Sequence, residues 1–400
     1  MSRYDDYDEY EEKYEEEYEE EYEDDDYYDE RRASQRGISS NVKWVIAMIV
    51  ELVIIVLLGF GLFKQYVSSK YSLMTVDNIQ KEKLAIDKKV EEETKGFTQI
   101  ALFGVDSRDS NMGKGSRSDA IIVASINNDT KEVKLVSVYR DTLLEIQKDN
   151  PVTSKVNVSY AFGGPEMAVK TLNANMDLSI TEYITVNWEG LTRAIDALGG
   201  VQVHIEEEEL EMLNGLIMEQ ISSNGIYSDG VFATGDITLN GVQATAYSRL
   251  RNTGQGDITR TERQREVIGS MVEKLKASDL STINNMINEL FPYIRTSITE
   301  EEMYSLAKSI ASYELTDTSG FPFRFTYYNN KEKGACLAAQ DLTDNVRTLH
   351  KFLFNEADYT PSEKVSTLNA QLLTETGAAS TGDIPVPGEE TDGDADDTGE

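Results

Sequence analysis

Residues 97–106 read FTQIALFGVD, an apolar run with the length of a buried β-strand that ends on a carboxylate. A second apolar run covers 120–126, and after a turn at 127–130 a third covers 132–138. Apolar runs of this length, bounded by turn residues, predict strands. Because further strand patterns alternate with amphipathic helices, the chain is predicted to form an α/β domain with a mixed central β-sheet flanked by helices.

The rest of the domain continues this alternation. Pro165 suits the first turn of a helix, so a helix is predicted to begin at Gly163-Gly164-Pro165. The segment 206–240 has no clear periodicity and is interpreted as a variable insert. The other predicted elements are helices at 189–198, 261–276, 300–311 and 342–354 and strands at 183–187, 201–205 and 323–328.

Upstream of the domain, residues 42–63 are almost wholly apolar and predict one transmembrane helix, with Glu51 as the acidic exception inside it. Four basic residues lie in 31–43 and two in 64–70, a modest excess on the N-terminal side. By the positive-inside rule we expect a cytoplasmic N-terminus and an extracellular domain. Residues 64–95 are expected to form a helical stalk or linker, with a short coiled coil as the alternative.

The net charge of -34 is concentrated in the two ends of the chain. Residues 1–30 hold 18 acidic and two basic residues, and residues 371–400 hold nine acidic and none that is basic, which leaves -9 for 31–370. We therefore expect disordered acidic tails at 1–41, on the cytoplasmic side, and at 357–400, around a domain at 96–356. This distribution argues against nucleic-acid binding.

Few residues are available for metal or nucleophilic chemistry of the common kinds. Cys336 is the single cysteine, which excludes an intrachain disulfide and a CxxC site. His204 and His350 are the two histidines, and neither lies in a motif for a zinc enzyme or a Ser-His-Asp hydrolase. The chemistry must come from other side chains.

Two carboxylates are predicted to meet at one end of the sheet. Asp106 directly follows the first strand, and Asp119 directly precedes the second. Two adjacent carboxylates repel each other unless a cation or a proton lies between them, and Mg²⁺ is typically held by one or two carboxylates together with phosphate oxygens. We expect Mg²⁺ there, with Mn²⁺ as the alternative ion. Each Asp could instead form a turn or a helix cap.

Arginines are predicted to converge on the same region. Arg140 ends the third strand, Arg260 and Gln264 extend the apolar stripe of a helix, and Arg249 and Arg251 precede that helix. Several buried guanidinium groups need anionic partners, and phosphate is one that matches their forked geometry. An internal ion-pair network is the alternative, and for Lys155 and the Arg140-Asp141 pair a surface salt bridge is another. With a membrane anchor upstream, the phosphate would belong to a lipid carrier.

These segments together resemble the LytR-CpsA-Psr (LCP) family. The motifs that carry the resemblance occur in family order over about 97–280, and they are GVDSR at 104–108, RSD at 117–119, RDT at 140–142, KVNVSYA at 155–161 with Gly163-Gly164, DALGGV at 196–201, and the segment from Gly256-Asp257 to Arg263-Gln264. The family commonly has Pro before the Arg-Asp pair, whereas this chain has Tyr139.

The resemblance implies a Gram-positive cell-envelope phosphotransferase. Such an enzyme moves an anionic glycopolymer, teichoic acid or capsule, from a polyprenyl-pyrophosphate carrier to peptidoglycan. It further implies that Asp106 and Asp119 bind Mg²⁺, and that Arg140, Lys155, one or both of Arg249 and Arg251, Arg260 and Gln264 bind the pyrophosphate. Arg140, Asp257, Arg260 and Asp119 are the predicted catalytic residues. A polyprenyl-pyrophosphate hydrolase and a non-catalytic, lipid-binding regulator or scaffold remain as alternatives.

Overall fold

The computed structural model of the chain describes residues 40–107, 112–251 and 256–377, without the side chains of 40–47 and 223–224. Residues 1–39 and 378–400, which are predicted to be disordered, therefore lie outside the described residues. The motif residue Arg108 lies outside them as well. The described α-helices are α1 (Ser40–Tyr71), α2 (Lys88–Glu93), α3 (Asn157–Met176), α4 (Trp188–Ala197), α5 (Leu210–Asn224), α6 (Gly241–Tyr247), α7 (Asp257–Ala277), α8 (Leu280–Leu290), α9 (Glu300–Lys308), α10 (Leu342–Phe354) and α11 (Glu363–Thr376).

The described strands pair into one large sheet and three hairpins or small sheets. They are β1 (Thr75–Val76), β2 (Phe97–Val105), β3 (Ser118–Asn127), β4 (Glu132–Val138), β5 (Leu143–Ile146), β6 (Val152–Lys155), β7 (Glu182–Asn187), β8 (Val201–Ile205), β9 (Gly235–Leu239), β10 (Ile294–Thr296), β11 (Glu314–Phe321), β12 (Phe325–Asn330) and β13 (Gly334–Ala339).

The main sheet has seven strands in the order β1-β10-β7-β2-β3-β4-β11. Strand β3 runs antiparallel to β2 and β4, whereas β7 is parallel to β2 and β11 is parallel to β4. Ala101 and Phe103 are buried on one face and Ile100 on the other, which explains why β2 reads as a continuous apolar run. The prediction of a mixed, helix-flanked α/β sheet is confirmed.

Helix α1 contains the predicted transmembrane segment. Among the described residues, Met48–Tyr71 is the one helical stretch long and apolar enough to cross a membrane by length and composition. The apolar side chains of 48–63 are exposed, as lipid-facing side chains are. The helix ends at Tyr71, after which β1 joins the main sheet and Leu84 enters its core. Residues 72–95 are thus partly helical, as expected, but they pack onto the domain.

Helix α3 begins earlier than the sequence indicates. Its first turns start at Asn157, and the chain then kinks at Gly164, whose φ of 71° and ψ of -162° are not helical. Pro165 starts the second part, because proline fits a first turn but interrupts a continuous helix. The predicted start at Gly163 is therefore the kink inside a longer element.

The segment 206–240, interpreted as an insert, is largely structured. It forms α5 and then β9, which pairs with β8 in a small antiparallel sheet. Val203, Leu213 and Val267 share one core cluster, so this lobe packs against α7. Other predicted boundaries differ by only a few residues, as with α9, which ends at Lys308, and β12, which begins at Phe325.

The prediction of a disordered tail from 357 is wrong for 357–377. Helix α11 lies in this range, with Ser362 as its N-cap. Val365, Leu368 and Leu372 are at most 3% exposed and belong to the main core. The acidic composition of 371–400 concealed an apolar stripe at 365, 368 and 372, which has the spacing of one helix face.

Candidate active site

The antiparallel pairing of β2, β3 and β4 brings three of the predicted site segments to one edge of the sheet. Val105 at the end of β2 pairs with Ser118, so Asp106 lies beside the start of β3, which carries Asp119. Ser137 at the end of β4 pairs with Ile122, which places Arg140 near the same start. Two strands end and one begins at this edge, so residues distant in sequence meet there.

Arg140 and Arg260 share two carboxylates. Arg140 donates to Asp119 Oδ1 at 2.6 Å, and its Nε lies 3.1 Å from Asp257 Oδ1. Arg260 Nη2 lies 3.1 Å from the same Asp257 oxygen and donates to the backbone carbonyl of Asp119 at 2.7 Å. The internal ion-pair network considered as an alternative is thus present, and it lies at the edge of a cavity.

The two guanidinium groups differ in electrostatic balance. Burial alone would lower the pKa of Arg140, but Asp257, Asp119 and Asp141 together raise it above its usual value. Burial is the main effect that lowers the pKa of Arg260, to about 10; the nearby Arg140 and Arg251 act in the same direction, and Asp257 and Asp119 oppose it. Arg260 is only 2% exposed. A further anion beside Arg260 would therefore be stabilised.

Lys155 reaches this network through Asp141. Its Nζ lies 2.9 Å from Asp141 Oδ1, and the other oxygen of Asp141 lies 3.9 Å from Arg140 Nε. The β5–β6 hairpin determines this position, because backbone bonds from Val156 N to Thr142 O (2.8 Å) and from Asn157 N to Arg140 O (3.2 Å) join its end to the Arg140 segment. Lys155 is thus linked to Arg140 through Asp141.

A polar cavity of about 370 Å³ opens beside this network. Both Arg249 and Arg251 line this cavity, so the lining does not favour one of them over the other as the phosphate ligand. Arg249 is also 2.7 Å from Glu219 of α5. The complete lining is Asp106, Asp119, Trp188, Met212, Leu216, Arg249, Arg251 and Arg260.

An apolar cavity of about 360 Å³ shares Trp188 with the polar one. Its walls come from the main sheet, α4, α7 and α8 and include Leu102, Ile122, Leu191, Met271 and Leu290. Gln264 lines this cavity and not the polar one, and it donates to the Ser248 carbonyl at 3.3 Å. Of the residues predicted to bind pyrophosphate, Gln264 is therefore at the apolar side.

The sequence analysis did not identify three residues that line the polar cavity. Trp188 directly follows β7, which ends at the same edge as β2, so the strand-end argument used for Asp106 could have found it. Met212 and Leu216 come from α5, in the segment interpreted as an insert, and no sequence pattern marked them. Arg263 of α7 connects α5 to the site, since its Nε donates to Glu209 Oε1 at 3.1 Å, directly before α5.

The residue before Arg140 departs from the family pattern without disturbing the pair. Tyr139 is buried and packs edge-on against Phe325, with ring centroids 6.0 Å apart. Its backbone N–H donates to the Phe321 carbonyl at 3.0 Å, a bond that proline cannot make. Strand β4 still ends at Val138, and Arg140 and Asp141 remain in place.

The carboxylates of the polar cavity suit a hard cation shared with a phosphate. No group of three or more His, Cys, Asp or Glu side chains that could hold a metal occurs in the described parts of the chain. Mg²⁺ needs fewer protein ligands than that, because it usually takes one or two carboxylates and completes its coordination shell with phosphate oxygens and water. Asp106 and Asp119 both line the cavity and provide that number.

The fold and the site together define a mixed α/β domain with an arginine-lined polar cavity adjoining an apolar one. The model of the LytR_cpsA_psr family matches residues 62–348, and the chain belongs to this family, which confirms the sequence prediction.

Named relatives and a solved structure are consistent with the family. The chain is 31% identical over 270 residues to polyisoprenyl-teichoic acid–peptidoglycan teichoic acid transferase TagU of Bacillus licheniformis, covering 66% of this chain and 81% of the relative. To the TagU of Bacillus subtilis it is 29% identical over 320 residues, covering 77% and 95%. The crystal structure of B. subtilis TagV has a TM-score of 0.52 at 25% identity, covering 67% of this chain and 99% of that one.

Proposed function

We propose that this protein is a membrane-anchored phosphotransferase that attaches an anionic glycopolymer, teichoic acid or capsular polysaccharide, from a polyprenyl-pyrophosphate carrier to peptidoglycan. The observation that carries the proposal is the pair of adjoining cavities, one lined by three arginines and two aspartates and the other almost wholly apolar. An amphiphile with a charged headgroup and a hydrocarbon tail fits this combination. The names of the TagU relatives include both a polyisoprenyl-linked teichoic acid and peptidoglycan.

The carrier tail is proposed to occupy the apolar cavity. Its wall includes Met286 and Leu290 of α8. Lys70, near the end of α1, donates to Asn288 of α8 at 2.7 Å. The apolar helix upstream of the domain supports the bilayer as the source of the tail, and we propose that the N-terminus is in the cytoplasm and the domain outside the cell.

The pyrophosphate is proposed to occupy the polar cavity, between Arg249, Arg251 and Arg260. Guanidinium groups that are already in place stabilise charge that develops on phosphate oxygens, and the effect is strongest for a buried group such as Arg260. Arg140 would join them by releasing part of its hold on Asp119, since it is 2.6 Å from that carboxylate. Lys155 would neutralise Asp141 and keep Arg140 directed toward the phosphate.

Asp106 and Asp119 would hold Mg²⁺ or Mn²⁺, which when bound supplies positive charge next to the phosphate oxygens. In the transfer itself, a sugar hydroxyl of peptidoglycan attacks the phosphorus that carries the glycopolymer. The bond from that phosphorus to the bridging oxygen breaks, and the lipid phosphate leaves with the electron pair. Of the two aspartates predicted to be catalytic, Asp119 is the proposed acceptor of the hydroxyl proton, because it lines the cavity whereas Asp257 does not.

Product analysis with the purified full-length chain tests the proposal. The protein is incubated in detergent with a polyprenyl-pyrophosphate-linked glycopolymer and Mg²⁺, with and without peptidoglycan. Transfer predicts release of polyprenyl phosphate that requires the acceptor, together with glycopolymer on peptidoglycan. Release of polyprenyl phosphate that does not depend on peptidoglycan would indicate a hydrolase. Bound lipid with no release, with or without peptidoglycan, would indicate a scaffold.

A further inference from the structure

The C-terminal helix α11 lies beyond residue 348, where the family match ends, yet it is firmly attached to the domain. Its N-cap Ser362 donates to buried Asp177 through both its backbone N–H and its hydroxyl, each at 2.7 Å. Asn369 accepts from the backbone N–H of Leu342 at 2.8 Å. These specific contacts make α11 an integral part of the folded domain.

Helix α11 spans the β5–β6 hairpin and holds both of its strands. Near the start of the helix, Lys364 donates to Glu145 of β5 at 2.6 Å. Near its end, Glu375 accepts from the Thr153 hydroxyl of β6 at 2.7 Å. Lys333, from the turn between β12 and β13, donates to the same hydroxyl at 2.6 Å and forms an ion pair with Glu375. We call Thr153, Lys333 and Glu375 the clasp.

The clasp lies two residues from the candidate active site. Thr153 and Lys155 are on the same face of β6, since side chains alternate along a strand. Lys155 contacts Asp141, and Asp141 lies beside Arg140. The second hairpin of the clasp also reaches Asp141, because the N–H of Leu337 in β13 donates to the Asp141 carbonyl at 2.9 Å. The clasp therefore joins the two hairpins that hold the Arg140-Asp141 segment.

We propose that α11 is a positioning element of the active site, which acts through the clasp to orient Lys155, Asp141 and Arg140 toward the pyrophosphate. This inference rests on the proposed function. The clasp residues do not line the polar cavity, so they act through other side chains and not on substrate. Small errors in the placement of charged groups are costly in catalysis, because stabilisation of a developing charge depends on fixed geometry.

A matched pair of substitutions at Thr153 tests the clasp in the full-length protein. Thr153→Val keeps the shape but removes the hydroxyl that bridges Lys333 and Glu375, whereas Thr153→Ser keeps the hydroxyl. We expect T153V to lower kcat about 10-fold with little change in KM, and T153S to retain wild-type turnover. Equal kcat in T153V and T153S would overturn the proposal.

A double-mutant cycle separates positioning from general stability. If Thr153 acts through Lys155, then T153V added to Lys155→Met lowers the remaining turnover no further. A second loss of about 10-fold in the K155M background would show that Thr153 contributes independently and would contradict the proposed route.

A second measurement keeps failure of the clasp distinct from failure of the proposed function. Turnover of the lipid-linked donor by the wild-type chain reports on the function alone. Hydrogen exchange of the amides at 139–143 reports on the clasp whether or not turnover is seen, and we expect faster exchange in T153V than in T153S. Identical exchange in the two variants would contradict the clasp even if the wild type proves to be a transferase.

Discussion

The two cavities that share Trp188 are built on opposite physical principles. The polar cavity keeps Arg260 nearly buried with partners that only partly offset its charge, so the site is costly in the absence of a further anion. The apolar cavity consists of side chains such as Ile122 and Met271 that would serve equally well in a core. The comparison teaches that the charges of the first cavity favour an anionic ligand, whereas the apolar walls of the second restrict its occupant only to an apolar group.

Removing the charge of Arg260 is the change with the largest expected effect. Arg260→Ala should lower transfer by at least about 10³-fold, because the guanidinium is proposed to stabilise charge on the departing phosphate and also neutralises Asp257. Turnover of the lipid-linked donor is the measurement, with Arg347→Ala, an exposed pair with Asp344, as the matched control. Near-normal transfer by folded R260A would remove Arg260 from the proposed mechanism.

Asp119 should matter less than Arg260 but should alter the response to the metal. Asp119→Asn retains the size of the side chain and is expected to lower transfer about 100-fold, because it removes a proposed Mg²⁺ ligand and the proposed proton acceptor. The Mg²⁺ concentration for half-maximal activity should rise in the same variant. An unchanged Mg²⁺ titration would argue against Asp119 as a ligand.

Filling the apolar cavity should affect the lipid substrate selectively. Met271→Trp places a larger side chain in the cavity wall and is expected to raise KM for a long-chain polyprenyl donor about 10-fold, with a smaller effect for a donor with a short prenyl chain. Met218→Trp, at a residue that is 66% exposed, is the control. If M271W shifts KM equally for both donors, the cavity does not hold the tail.

The smallest effect on activity is expected at His350, which lies away from both cavities. Burial lowers its pKa to about 4, although Nε2 donates to the Asp177 carbonyl at 2.8 Å. Because the unfolded chain binds the proton at about pH 6.5 and the folded chain does not, stability falls as the pH drops from 6.5 toward 4. This amounts to about 2 kcal/mol between pH 7 and 5.

Urea unfolding at pH 7 and pH 5 measures this difference. His350→Gln should reduce the pH dependence by about that amount and leave transfer unchanged, since Gln does not titrate in this range. Burial also raises the pKa of the neighbouring Asp177, which opposes the His350 effect at the acidic end. An identical pH dependence in H350Q would assign the acid sensitivity to other groups.

The contrast between the charged and the apolar cavity also explains how much of the fold and of the site could be predicted from the sequence. The strand pattern of β2, β3 and β4 and the charges at their ends were predictable, because a carboxylate or guanidinium directly after an apolar run is conspicuous. Asp119, Arg140 and Arg260 do meet. Gln264 was assigned by motif to the phosphate, but in the structure its side chain lines the apolar cavity.

Other parts were not predictable from local patterns. Met212 and Leu216 reach the polar cavity only because the buried pair of Arg263 and Glu209 connects α5 to α7, a contact between residues 54 positions apart. Helix α11 was missed because acidic and polar residues surround three apolar ones, and its stability comes from packing on the core. Tertiary contacts determined both features.

Mass spectrometry of the lipid that co-purifies with the detergent-solubilised full-length protein tests the central claim most directly. Adjoining cavities for a pyrophosphate and a hydrocarbon predict a bound polyprenyl phosphate or pyrophosphate in the wild type and a reduced amount in M271W. A wild-type protein free of prenyl lipid, or one whose lipid is equally abundant in M271W, would contradict the account.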